Sequence, residues 1–237
     1  MKYSIIVLCG GLGSRISSIP NIKVKLLAPI NSKIFFDYFT QWLKLNNAIT
    51  EDLILAIGFN SSSICEYLLK RSLNIKTSIE KIQKGTLPAV IQASALAKYE
   101  DVLVLNRDTV FDVCFMDMYA KYLENTKRPL LSLKSLNNKD KIFTNGYSLM
   151  GRNNLKFVAE SPQFISCGAF FCKKSSLRKE IMTNFQWNNS MKYDLDIHFL
   201  DKERCRKYLC AKKYMIDIGT VEDFYKAQKL IPKYINF

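Results

Sequence analysis

Three glycines and a basic side chain in one short stretch, Gly10-Gly11-Leu12-Gly13-Ser14-Arg15, are the first residues of this chain that could do chemistry. They follow the apolar run from Tyr3 to Leu8, so a strand delivers them at its carboxyl end. Glycine lets backbone approach a polyphosphate and turn N–H groups towards it, and the Arg15 guanidinium is a fork suited to phosphate oxygens. The chemistry that fits is phosphoryl or nucleotidyl transfer, although a plain strand-to-helix turn uses glycines in the same way. Two commoner glycine motifs are excluded. Gly13 is followed by Ser14-Arg15 and not by the Lys-Ser/Thr that ends a P-loop, and Ile16 stands where the dinucleotide fingerprint needs a third small residue.

Carboxylates at two distant places fit the same chemistry. Asp108, in Leu105-Asn106-Arg107-Asp108-Thr109, comes just after the apolar run from Asp101 to Leu105. A carboxylate past a buried strand faces a cleft and can hold Mg²⁺ against substrate phosphates, or it can cap a turn. Asp217, in Met215-Ile216-Asp217-Ile218-Gly219-Thr220, ends a second strand-like run, and Thr220 opens a helix with Glu222 and Asp223 in its first turn. Taken alone, that is an ordinary strand-to-helix junction.

The elements that must position these residues alternate along the chain. Strands are expected at Tyr3 to Leu8, Asp52 to Gly58, Ile75 to Ile79 and Asp101 to Leu105. Helices are expected between them at Phe35 to Leu45, Ser62 to Leu73 and Leu87 to Ala97. Alternation of this kind implies an α/β fold with a Rossmann-like, mainly parallel sheet and helices on both faces. Ligands then belong at the carboxyl ends of the strands, where Gly10 to Arg15, Gly85-Thr86 and Asp108 all fall.

Composition bounds the class of protein. The 237 residues, 48% of them hydrophobic, suffice for one α/β domain with a sizeable core, and no repeat or linker divides residues 1–237. The N-terminal apolar run is too short to span a membrane, so no membrane association is expected. Seven cysteines form no CxxC pair, which fits reduced thiols and a cytoplasmic location. Lys plus Arg number 35 against 21 Asp plus Glu, a net charge of +14 that suits anionic partners. The basic residues are spread along the chain without a nucleic-acid module, so phosphorylated metabolites rather than nucleic acid are the expected partners.

Glycine run, lysines and the following segment together resemble a known signature. Ile22-Lys23-Val24-Lys25-Leu26-Leu27-Ala28-Pro29-Ile30-Asn31-Ser32-Lys33-Ile34-Phe35 follows Leu8-Cys9-Gly10-Gly11-Leu12-Gly13-Ser14-Arg15 as in the sugar nucleotidyltransferases, whose usual form is Gly-Gly-x-Gly-Thr-Arg-Leu and then Pro-Lys-Pro. The form is most similar to the heptose 1-phosphate guanylyltransferases, which show Leu-Cys before the glycines and Ala-Pro-Ile-Asn after the lysine. The resemblance implies transfer of a nucleotidyl group from a nucleoside triphosphate, with GTP favoured, to a sugar 1-phosphate, with Mg²⁺ as cofactor and release of pyrophosphate. It assigns metal binding to Asp108 and Asp217, pyrophosphate binding to Arg15 with the backbone N–H groups of Gly11, Leu12, Gly13 and Ser14, nucleotide binding to Gly10 beside them, and an α-phosphate contact to Lys25. Residues 1–113 become the nucleotide-binding half and residues 114–237 the sugar-phosphate half. Family members often form homodimers, which this chain is free to do.

Base recognition falls, on the same resemblance, at Glu80, Gly85 and Thr86, which match Glu-x-x-x-x-Gly-Thr. A carboxylate is a pair of acceptors, and guanine offers N–H donors from N1 and N2 on one edge, so Glu80 favours guanine over uracil or thymine. In the sugar-phosphate half only Phe157, Glu160 and Gly168 survive of the expected Phe-x-Glu-Lys and Asn-Gly-Gly elements. Three departures stand out. Leu87-Pro88 replaces two small residues, the lysine after Glu160 is missing, and Arg107 stands where the family has glycine, either adding a phosphate contact or obstructing the metal. A cytidylyl- or uridylyltransferase and a catalytically weak nucleotide-binding homologue are the alternatives. His198, the only histidine, carries no assigned role.

Overall fold

The structure is a computed structural model and describes residues 2–11, 14–16, 18–20, 22, 24–48, 51–58, 61–82, 84–124, 128–136, 146–150, 154–158, 163–177, 195 and 205–237. Strand β1 (Ser4–Leu8) is apolar on both sides because it lies between two parallel neighbours, β4 (Leu53–Ile57) and β6 (Asp101–Asn106). Beyond β4 lies β5 (Lys76–Ile79), also parallel. Three helices make the crossovers: α1 (Phe35–Leu45), α2 (Ser61–Lys70) and α3 (Thr86–Ser94). The chain therefore runs from β1 outward on one side and returns to β6 on the other, which makes the β1–β6 boundary a topological switch point.

Alternating residues of the sheet feed two cores. Ile5, Val7, Leu55 and Leu103 face a large cluster that includes Phe39 and Trp42 of α1. Ile6, Ile54, Val102 and Val104 face a smaller one built on Leu87, Val90 and Ala93 of α3. Helices thus cover both faces, as the strand period of two requires. In α1 the buried residues Phe35, Phe36, Phe39, Trp42 and Leu43 form the stripe expected at helical spacing, and Trp42 donates its indole N–H to Phe111 O at 2.7 Å. Helix α2 stops at Lys70, earlier than its apolar pattern suggests, because Ser72 turns left-handed at φ 51 and ends the helical hydrogen bonding.

The later half extends the same sheet with mostly antiparallel strands. After β7 (Thr109–Phe111) and α4 (Phe115–Leu123) come β8 (Leu130–Ser135), β9 (Gly146–Met150) and β10 (Asn154–Val158). The ten-residue β11 (Phe164–Lys173) then inserts antiparallel between β6 and β8. Strand β12 (Arg206–Leu209) pairs parallel with β8, and β13 (Met215–Asp217) pairs antiparallel with β7 away from the main sheet. A short hairpin of β2 (Pro29–Ile30) and β3 (Lys33–Ile34) precedes α1.

The closing helix α5 (Val221–Tyr234) begins with Thr220 accepting the Asp223 N–H at 3.1 Å, with acidic residues in its first turn. Pro232 cannot donate to the carbonyl four residues back, and Asn31 of the hairpin supplies the missing donor, its Nδ2 reaching Gln228 O at 3.0 Å. Among the described residues no helix is long and apolar enough to cross a membrane.

Candidate active site

The strand register assembles the site. Leu8 of β1 lies opposite Asn106 of β6, so the glycine turn that follows the one faces Arg107 and Asp108 that follow the other. A cleft of about 290 Å³ opens there, lined by Gly10, Gly11, Glu80, Gly85, Thr86, Asn106, Arg107 and Asp108, with Leu8 and Ala89 beneath. Close approach explains the glycines: a Cβ on Gly10 would stand 3.2 Å from Glu80 Oε2, and one on Gly11 would stand 3.1 Å from an Arg107 Nη.

At one end, Lys25 leaves a single 3₁₀ turn, Lys25–Leu27, with its side chain only 4% exposed. Its ammonium ion pairs with Asp108 Oδ2 at 2.9 Å and also reaches Gly219 O at 3.4 Å. Asp217 arrives beside it by the pairing of β13 with β7, where Asp217 lies opposite Thr109 and the Ile218 N–H bonds to Asp108 O at 2.9 Å. Thr109 Oγ1 donates to Asp217 Oδ2 at 2.8 Å, and the Gly219 N–H donates to Asp217 Oδ1. Burial first, then the nearby Asp108 charge, push the Asp217 carboxyl from 3.8 up to about 6, against the bonds from Thr109 and Gly219 and the attraction of Lys25. Two carboxylates that repel each other across a shared space, with one lysine between them, lower their energy when a cation enters.

At the other end, Glu80 follows β5 and is held by its N–H bond to Ile57 O at 2.8 Å. Burial raises its carboxyl pKa, against a hydrogen bond from the Lys84 N–H. Oε2 faces Gly10, and Oε1 is buried with no hydrogen-bond partner. An unpartnered buried acceptor in a cleft is costly until a donor arrives. Thr86 opens α3 and accepts the Leu195 N–H at 2.8 Å.

Most of the residues singled out in the sequence meet here: Gly10, Gly11, Glu80, Gly85, Thr86 and Asp108 line one cleft, with Lys25 and Asp217 tied to Asp108. Arg15 is exposed in the 3₁₀ turn Ser14–Ile16 and is not among the lining residues. Gly168 stands beside the cleft, where its φ of +79° and missing side chain make room for Asn106, whose Nδ2 would be 2.7 Å from a Cβ. Leu12, Gly13, Glu160 and His198 lie outside the described residues. Sequence reasoning did not single out Thr109, which orients Asp217, or Asn106 in the cleft wall. A hydroxyl one residue after a candidate metal ligand was the available signal for the first.

The nucleotidyl transferase family pattern matches residues 4–233. The D-glycero-alpha-D-manno-heptose 1-phosphate guanylyltransferase of Campylobacter jejuni is 32% identical over 222 residues, covering 93% of this chain and 96% of that protein. The protein of the same name from Aneurinibacillus thermoaerophilus is 28% identical, covering 97% of this chain and 99% of its own. Among solved structures, HddC from Yersinia pseudotuberculosis complexed with GMP-PN superposes with a TM-score of 0.77 at 21% identity, over 97% of this chain and 99% of that one.

Proposed function

This chain belongs to the nucleotidyl transferase family, and on that premise we propose that it is a guanylyltransferase joining GTP to a sugar 1-phosphate, with heptose 1-phosphate as the acceptor. The observation that carries the choice of base is Glu80: its buried, unpartnered Oε1 and its Oε2 beside Gly10 are two acceptors that the N1–H and N2–H of guanine would satisfy together. The names of the two long relatives support the acceptor. The product, a GDP-sugar, would feed surface polysaccharide synthesis.

In this reading a phosphate oxygen of the sugar 1-phosphate attacks the α-phosphorus of GTP, the bond from that phosphorus to the bridging oxygen breaks, and pyrophosphate leaves. The acceptor is already ionised, so no general base is needed, and the protein's part is alignment and charge neutralisation. Lys25 places its ammonium beside Asp108, where it can neutralise α-phosphate charge. Arg15, exposed in the 3₁₀ turn Ser14–Ile16, would take the departing pyrophosphate.

Asp108 and Asp217 fit Mg²⁺. No group of three or more metal-binding side chains exists among the described residues, but Mg²⁺ in nucleotide enzymes takes one or two carboxylates and completes its shell with phosphates and water. When bound, the ion would neutralise charge on the reacting phosphates. Thr109 and the Gly219 N–H hold Asp217 in orientation for it.

Steady-state turnover with GTP, ATP, CTP, UTP and dTTP, each with heptose 1-phosphate, tests the proposal. GTP should be preferred, and Glu80→Gln should lower kcat/KM for GTP by about 10- to 100-fold, the cost of a lost charge-assisted bond. Preference for another triphosphate, or an unchanged GTP value in the variant, would refute the guanine reading.

A further inference from the structure

We propose that Arg107 is a nucleotide-binding residue whose guanidinium, held across the glycine turn, takes an anionic oxygen of the substrate's phosphate chain. The inference rests on the nucleotidyl-transfer reading of the cleft. Arg107 is only 6% exposed, and its two Nη groups donate to Cys9 O and, at 2.9 Å, to Gly11 O. Its Nε–H is buried and has no partner. Both partners are neutral carbonyls, and among the described residues no carboxylate pairs with it, the neighbouring Asp108 being engaged by Lys25.

A buried cation compensated only by carbonyl dipoles keeps much of its desolvation cost, and that cost is relieved when an anion arrives. The position selects which part of a nucleotide supplies the anion. Glu80 marks the base end of the cleft, while Arg107 lies between Gly11 of the phosphate-facing turn and Asp108 of the carboxylate pair. The cleft wall has space for the guanidinium because residue 11 has no side chain; a Cβ there would come within 3.1 Å of one Nη. Arg107 thus does not obstruct the carboxylates. Its guanidinium reaches the carbonyls of the glycine turn, and its unpartnered Nε–H remains for a ligand.

A purely structural clamp would hold the turn for every ligand alike, whereas a phosphate contact grades with phosphate number. Titration calorimetry with guanosine, GMP, GDP and GTP in Mg²⁺ separates the two, run with whichever base the unmodified protein prefers. Arg107→Gln should bind guanosine within about two-fold of the unmodified protein and GTP about 10- to 100-fold more weakly, as loss of a charge-assisted bond requires. Arg107→Lys should recover most of the loss. Gly11→Ala, which displaces the guanidinium and leaves its charge in the molecule, should show the same grading and serves if Arg107→Gln does not fold. Equal losses for guanosine and GTP, or no loss for GTP, would overturn this proposal and leave the function standing; failure of the unmodified protein to bind any triphosphate would overturn both.

Discussion

Replacing Asp217 by Asn should make the ligand-free protein more stable at neutral pH while abolishing its activity. Burial and the Asp108 charge hold the Asp217 carboxyl at about 6 in the folded protein, against 3.8 for an ordinary aspartate. Between those two values the folded chain binds more protons than the unfolded one, so stability falls as pH rises through the window and the deficit is complete above it. Two units of displacement amount to about 3 kcal/mol, and solvent screening of a partly exposed carboxylate reduces this to about 1–2 kcal/mol. In a domain of this size each kcal/mol moves Tm by about 2–4 °C, so the variant should melt about 2–8 °C higher at about pH 8 and nearly level with the unmodified protein at about pH 4. The Thr109 hydroxyl, which now donates to Asp217 Oδ2, can rotate to accept from an Asn amide, so no new unpaired group is created. Differential scanning fluorimetry in EDTA across that range is the assay. A variant that melts lower at high pH, or a gap that does not change with pH, would refute the reasoning. Added Mg²⁺ and GTP should then raise the melting point of the unmodified protein more than that of the variant.

Two further substitutions probe what supports the site. Asp52 is 3% exposed and accepts from Ser4 Oγ at 2.6 Å, Lys76 Nζ at 2.6 Å and the Lys98 N–H at 2.7 Å. Burial alone would raise its pKa, but these bonds hold it below 3.8, so its contribution is present above that value and is lost as pH falls through the lower folded one. Asp52→Asn should cost about 2–4 kcal/mol in urea unfolding near neutral pH, with turnover per folded molecule unchanged; an unaltered midpoint would show that the cluster does not brace β1 against β4. Gly168→Ala forces a left-handed alanine against Asn106 and should cost about 1–3 kcal/mol, together with a several-fold rise in the KM for nucleotide. An unchanged KM would place Asn106 outside nucleotide binding.

The parallel half of the fold was legible because buried parallel strands are short unbroken apolar runs, such as Ser4–Leu8 and Asp101–Asn106, separated by amphipathic helices. The antiparallel half was not. Phe164–Lys173 is apolar on both sides whichever way its neighbours run, and its register shift between Ser166 and Phe170, around Gly168, has no pattern of its own. Asp108 and Asp217 could each be read as carboxylates after strands, but their meeting depends on Thr109 pairing with Asp217 across β7 and β13, a register that neither segment encodes alone. Arg107 was visible as a departure from glycine. Its direction is set by carbonyls of the turn after β1, far away in sequence, and so could be seen only in the folded chain.

The bond from Lys25 to Gly219 O spans 194 residues, and Asn31 reaches as far to close the gap left by Pro232 in α5. Contacts of such long range carry the largest loop-closure cost, so they are expected to form after the local βα units. On a ribosome the glycine turn, Lys25 and Asp108 emerge well before Asp217 and the helix that fastens the hairpin. Until residues 215–219 have emerged, Lys25 and Asp108 lack Gly219 and Asp217 beside them, and a chain cut short of that segment holds the cleft with one end unbuilt. Any activity that needs both carboxylates waits, in this architecture, on a strand made more than a hundred residues after the first of them.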